Sequence, residues 1–427
     1  MIEALLGQVR NTALIVGLIS FIGLLLQRKT TEEIISGTVK TIVGFMIFNI
    51  GSSSMASVVT NFSNLFNTGF GISGVTTQVE VATGLALNKF GTEVALVFVL
   101  GFFFNILFAK FTKFKAIFLT GQHFLYFACV LALVFISSGL PGYVTILGGG
   151  LILGFCGAAL PTLAQPFMNK ITGSDDIAMG HFNLIGYTLS GYIGKLVGKR
   201  SKNDKKSTEE VKLPGFLKLF RDFVFSVAIF MVVLFYIAVI ACVVNGKIDV
   251  IKEMSGNDIW FIWPLIQGLQ FAAGMSVLIY GVRQFIAEIT ASFVAISEKY
   301  IPDSKPAVDC PAIFPYAPNA VLVGFVGSLL GGFAGMAIMV AFKSPVILIP
   351  AAGICFFSGG TSGVFANAYG GLKGAFIGSF VIGLLLVLLP LGLYPAFANL
   401  GISEASFPNI DYNIIGSLIN WILSFFQ

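Results

Sequence analysis

The chain has 427 residues, of which 56% are hydrophobic and 11% charged, and its net charge is +5. A soluble domain has about 25% charged residues, so this composition excludes a water-soluble globular protein. Apolar runs of the roughly 20 residues needed to cross a hydrocarbon core recur and are continuous, as in FSVAIFMVVLFYIAVIACVV. A transmembrane β-barrel would alternate over segments of about ten residues, which leaves an all-α polytopic membrane protein.

The first apolar run begins near Asn11 and leads directly into LLLQRKT, so a retained span is expected over 11–27 rather than a cleaved leader. Further spans are expected over 34–60, 94–109, 116–138, 143–161, 220–244, 258–282, 319–341, 345–358 and 374–395. An amphipathic stretch covers 178–198. The terminal IIGSLINWILSFF is short for a full span and is expected to be re-entrant or interfacial, so the count is 10–11.

Orientation follows from Lys and Arg, which concentrate on the cytoplasmic side. The segment 195–221 carries nine of them and is expected inside, together with Arg28–Lys29 and KFTKFK. The segment 395–413 has Glu404 and Asp411 but no Lys or Arg and is expected outside. The residues before and after the basic loop 199–215 repeat one order: two spans, a polar Gly/Pro-containing stretch, three spans and an amphipathic tail. Each half, 1–198 and 216–427, crosses an odd number of times, so the second is expected to be inverted relative to the first. Such repeats build transporters whose sites lie near the midplane, where non-helical segments of the two halves meet.

Those segments are GISGVTTQVEVATG, which contains Thr77, and AVDCPAIFPYAPNA, which contains Asp309. Irregular backbone at membrane depth is tolerated where it lines a cavity, and an ionisable residue there is a site candidate. The alternative is that Asp309 caps a helix at a loop mouth. In LTGQHFLYF, Gln122 and Tyr126 are four residues apart and share a helix face, placed either to hydrogen-bond a hydroxylated solute or to join packed spans. His181 lies next to Phe182 and Asn183. In FFSGGTSGVFAN, Gly359 and Gly360 permit either close approach of backbone to a ligand or tight helix packing; GSLLGGFAG is expected to serve packing alone. The two histidines have no acid cluster beside them in sequence and the five cysteines have no paired spacing, so neither a metal nor another cofactor is expected. No Walker loop, nucleophile elbow or catalytic triad is present, so the chain is expected to hold no catalytic residue of its own.

GTVKTIVGFMIFNIGS, KLPGFLKLFRD, GVRQFIAEITASFVAISEKYIP, AVDCPAIFPYAPNAV and FFSGGTSGVFAN occur in this order over nearly the whole chain. Together they resemble the membrane component, enzyme IIC, of the L-ascorbate family of the bacterial phosphotransferase system. The resemblance implies a homodimer in the bacterial inner membrane, with a substrate-carrying core domain beside a V-shaped scaffold. It implies L-ascorbate or a similar sugar acid as solute, phosphorylated by a cytoplasmic IIB protein that carries phosphate on cysteine and is supplied by IIA. It further implies that Asp309, His181 and Gln122 approach the substrate. The family has His and Gln where this chain has Gln122 and Tyr126, and glutamines where it has Phe182 and Asn183. These differences leave a pentose or polyol permease as a rival, and an ion-coupled secondary transporter as a rival of another class.

Overall fold

A computed structural model describes residues 12–200, 206–212, 219–220, 222–301 and 303–426, with the backbone alone at 292–300 and 426. Asn11 and parts of the basic loop 199–215, at 201–205 and 213–215, lie outside the described residues. In chain order the first half contains helices α1 (Thr12–Leu26), α2 (Thr31–Phe70), α3 (Val79–Phe111), α4 (Gly121–Ser137), α5 (Gly142–Thr172) and α6 (Leu184–Arg200). Short strands β1 (Gly74–Thr76), β2 (Ala116–Phe118) and β3 (Ala178–Met179) precede α3, α4 and α6. The second half contains α7 (Phe223–Val244), α8 (Ile248–Ser255), α9 (Trp263–Tyr300), β4 (Lys305–Val308), α10 (Pro318–Ala341) and β5 (Ile347–Ile349). A helical turn Ala352–Ile354 and a wider turn Cys355–Gly359 then lead into α11 (Gly360–Leu388), α12 (Tyr394–Asn399) and α13 (Ile410–Leu423).

Local chemistry sets the ends of these helices. Thr30 caps α2: its hydroxyl accepts from the Glu33 N–H at 3.3 Å, and the Glu33 carboxylate accepts from the Thr30 N–H at 2.9 Å, a reciprocal capping box. Asp222 caps α7 by accepting from the Phe225 N–H at 2.8 Å. The turn Thr208–Glu210 caps α10 from a distance, because the Glu209 carboxylate accepts from the Asn319 and Ala320 N–H groups at 2.9 and 3.1 Å.

Among the described residues, seven helices are long and apolar enough to cross a bilayer, and α1 and α4 are shorter apolar ones. The segment Ala352–Gly392 counts among the seven but is interrupted at Gly371, whose φ is 60°. Counted as two, with α1 and α4 added, it brings the number to ten. The span expected over 94–109 begins earlier, at Val79, with a break at Phe90. The span expected over 116–138 becomes β2 followed by α4. Pairing with a strand from the other half draws these residues out of the helix.

Two groups of helices pack side by side. α9 lies along α2 and α7, with α1 against α2; α3 lies along α5, while α11 lies between α10 and α6. Glycines bring α10 and α11 together, as GSLLGGFAG predicted. A Cβ on Gly331 would sit 2.8 Å from the Phe380 carbonyl carbon and 3.0 Å from the Leu384 nitrogen, both backbone atoms that cannot rotate away. Gly331→Ala is therefore expected to destabilise the protein by about 1–3 kcal/mol, the usual cost of overpacking, measured as a lower midpoint of thermal unfolding in detergent. An unchanged midpoint would show that this contact is loose.

The strands join the two halves. β1 pairs in parallel with β5, Gly74 opposite Ile347 and Thr76 opposite Ile349, and Thr76 also bridges to Ala405. β4 pairs in parallel with β2 on one side and β3 on the other. Each small sheet thus mixes segments from before and after the basic loop.

Candidate functional site

Asp309 follows β4 directly. Pro311 removes a donor just beyond it, and the chain makes only two short turns, Cys310–Ala312 and Phe314–Tyr316, before α10 begins at Pro318. Asp309 Oδ1 accepts from the Cys310 N–H at 2.8 Å. It also lies 3.1 Å from His181 Nδ1 and 3.9 Å from His123 Nε2. Oδ2 accepts from Gln122 Nε2 at 3.3 Å. Asp309 therefore does both things left open by its sequence: it caps a turn and it faces a cluster of polar side chains.

The sheet brings these partners together. Gln122 and His123 open α4 just after β2, and His181 follows β3, so the two outer strands deliver them to either side of Asp309. Gly180 makes this approach possible. Its N–H donates to the Val308 carbonyl at 2.7 Å, and a Cβ there would run into the Ala307 carbonyl. At the far end of the sheet, Lys305 pairs with Asp175, and Lys115 with Asp303 at 3.2 Å. The Lys305 ammonium holds the Asp175 carboxyl below the ordinary carboxylate range.

A cavity of about 390 Å³ opens beside this cluster, within the usual size of small-molecule sites. Thr77, Gln122, Tyr126, His181 and Asp309 line one wall; Ser276, Tyr280 and Arg283 of α9 line the other. A second hollow of about 770 Å³ shares Gln122, Asp309 and Arg283 and runs along α9 to Ala291. The cavity thus lies between the two groups of helices, and Arg283 reaches it from the group opposite Asp309.

Five of the nine sequence candidates meet here. The Thr77 hydroxyl is already committed, donating to the Ile349 carbonyl at 2.9 Å. The other four lie elsewhere. Phe182 is fully buried and stacks on Phe118 at 4.3 Å between centroids and 15° between planes, so it belongs to the core and is no cavity wall. Asn183 accepts from the Ile410 N–H at 2.9 Å. Gly359 and Gly360 face α10, where Cβ atoms would collide with Ser328 and Val321; they serve helix packing, the plainer of their two readings.

His123 and Arg283 were not singled out as site residues. His123 sits three residues before Tyr126, one helical turn, and its ring lies 5.4 Å from that of Tyr126. Arg283 stands just past the apolar run expected over 258–282 and falls within a helix long and apolar enough to span, where an ionisable residue is a signal in itself. Sequence distance hid the rest: Asp309 is more than a hundred residues from either histidine in the chain, yet within 3.9 Å of both in space.

Ser358 Oγ is 3.4 Å from His181 Nε2, so Ser358, His181 and Asp309 are connected in the order of a hydrolase triad. Ser358 is fully buried and does not line the cavity. Its hydroxyl orients the imidazole and is not placed to attack a solute.

Behind the cluster the N-termini of α6 and α13 meet. Asp411, on the segment expected to form an outer loop, is completely buried. Its carboxylate accepts from the Leu184 and Ile185 N–H groups at 2.7 and 2.9 Å. Asn183 returns the contact, its Oδ1 accepting from the Ile410 N–H at the start of α13, and Asn409 donates to the Phe182 carbonyl at 2.6 Å. Each helix is thus capped by the other, and His181 lies at the junction.

A fully buried junction of half-helices beside a polar cavity is the construction of a solute carrier, and comparison with known proteins agrees. Residues 8–411 match the family model EIIC-GAT, described as a PTS system sugar-specific permease component. The chain is also 29% identical over 430 aligned residues to the ascorbate-specific PTS system EIIC component of Mycoplasma pneumoniae. That alignment covers 89% of this chain and 64% of the relative, so the chain spans somewhat under two thirds of the relative's length. Matched over nearly its whole length, this multi-pass protein of the bacterial cell membrane belongs to the sugar-specific permease components of the phosphotransferase system.

Proposed function

We propose that the chain carries L-ascorbate or a closely similar sugar acid in the 390 Å³ cavity and releases it for phosphorylation by a cytoplasmic IIB protein. The observation that carries this reading is the placement of Asp309. Its carboxylate meets Gln122, His181 and His123 at the edge of a cavity between two packed groups of helices. Carboxylate, amide and imidazole are the groups that hydrogen-bond vicinal hydroxyls, and Arg283 offers a positive charge to an acidic solute. The ascorbate specificity named for the Mycoplasma relative points the same way.

Phosphate comes from outside the chain, on the cysteine of a IIB protein charged by IIA. The wall with Asp309 is the core that carries the solute, and α1, α2, α7 and α9 are the scaffold past which it moves, in a homodimer. The halves 1–198 and 216–427 are inverted repeats. Two things support this: the common order of elements and the reciprocity of the strands, since β1 stands to β5 and Ala405 as β4 stands to β2 and β3. The basic loop faces the cytoplasm; of the segment 395–413, expected outside, 405–413 are instead buried in the molecule.

The test is uptake of labelled ascorbate into vesicles containing the purified chain, with and without phosphorylated IIB. Accumulation of phosphorylated solute only when IIB is present is the expected result. Accumulation of unmodified solute driven by an ion gradient alone would overturn the reading in favour of a secondary transporter.

A further inference from the structure

We propose that Glu80 sets the direction in which the solute lies in the cavity: its carboxylate takes the hydroxylated end, while Arg283 takes the acidic end. The inference rests on the reading of the solute as a sugar acid and adds to it a residue that governs specificity. Glu80 lines the 390 Å³ cavity beside Thr77 and Gln78. It is partly buried and belongs to a helix long and apolar enough to span, where an ionisable group is a site candidate.

The smaller sheet delivers it. β1 ends at Thr76 and α3 begins at Val79, so Glu80 is the second residue of its helix and stands four residues past its strand. Gln122 has the same place after β2, which ends at Phe118 before α4 begins at Gly121. The pairing of β1 with β5 thus brings Glu80 to the cavity as the pairing of β2 with β4 brings Gln122. Thr77 holds the connection, its hydroxyl donating to the Ile349 carbonyl at 2.9 Å.

Glu80 serves no other residue. Among the described residues its carboxylate makes no hydrogen bond or ion pair with another side chain, and the guanidinium of Arg283 makes none either. The Tyr126 hydroxyl feels the charges of Glu80, Asp309 and Arg283, so the three lie around one space. A carboxylate and a guanidinium left without partners in one cavity call for an explanation, and a ligand that supplies an acid at one end and hydroxyl donors at the other provides it. Ascorbate has this form: its ring carries the negative charge and its tail two neutral hydroxyls. The ring beside Glu80 would set like charges together, whereas the tail gives the carboxylate the donors it lacks. A site discriminates most strongly when the wrong ligand leaves a buried polar group unpaired or meets a like charge.

The experiment compares binding isotherms in detergent for L-ascorbate and 5,6-dideoxyascorbate, which keeps the acidic ring and lacks both tail hydroxyls. The parent is expected to prefer ascorbate by roughly 10- to 150-fold, the range of a charge-assisted hydrogen bond. Glu80→Ala is expected to bind ascorbate as weakly as the analogue and so to lose the preference. Glu80→Gln, which keeps the shape and a weaker acceptor, is expected to lie between, so the result does not depend on the folding of one variant. Arg283→Gln is expected to weaken both solutes alike and to keep the preference, which a merely structural role for Glu80 would not separate. An unchanged preference in both Glu80 variants, with ascorbate bound by the parent, would overturn this proposal alone. Failure of the parent to bind ascorbate would overturn the reading of the solute and this proposal with it.

Discussion

Asp309→Asn weakens binding of ascorbate to the purified protein by roughly 10- to 150-fold. The substitution keeps volume and an acceptor for the Cys310 N–H, so the turn after β4 survives. What is lost is the charge that strengthens hydrogen bonds from solute hydroxyls. Charge-assisted bonds contribute about 1.5–3 kcal/mol, and each 1.4 kcal/mol is tenfold in affinity. The measurement is a binding isotherm in detergent, beside a thermal melt to show that the variant is folded. A folded Asp309→Asn that binds ascorbate normally would reduce Asp309 to a turn cap and move the solute site elsewhere in the cavity.

Asp411→Ala is expected to be the most damaging single substitution to stability. Its carboxylate is the partner of two backbone N–H groups at the buried start of α6, and alanine leaves both unpaired away from water. An orphaned buried donor costs ~1–3 kcal/mol, so the pair costs about 2–6 kcal/mol, and the unfolding midpoint should drop by roughly 2–7 °C. Asp411→Asn keeps one acceptor oxygen and should lie between the two. Equal stability of Asp411→Ala and the parent would mean that α6 finds another cap.

The class of protein was readable in the sequence because the bilayer imposes it: continuous apolar length and few charges admit one architecture. Asp309, Gln122, Tyr126 and His181 were readable because a polar group in apolar surroundings needs a reason to be there. The strands were hidden. Three-residue segments such as Gly74–Thr76 have no periodicity of their own and exist only through a partner more than two hundred residues away. Phe182 was misplaced for a related reason. Its neighbour His181 faces the cavity, but the chain bends at these two residues, and Phe182 enters the core.

The crossed strands also bear on how the chain is made. β1, with the turn that presents Thr77, emerges early in synthesis, yet its partner β5 lies at Ile347–Ile349 and its bridge at Ala405. β2 and β3 likewise wait for β4 at Lys305–Val308. Until then their backbone groups lack the partners that a hydrocarbon surrounding demands, and such non-local pairing is slow to form. The solute cavity is therefore the last part of the molecule to mature. A nascent chain halted at the basic loop has helices but neither sheet, since every strand made by then takes its partner from the second half.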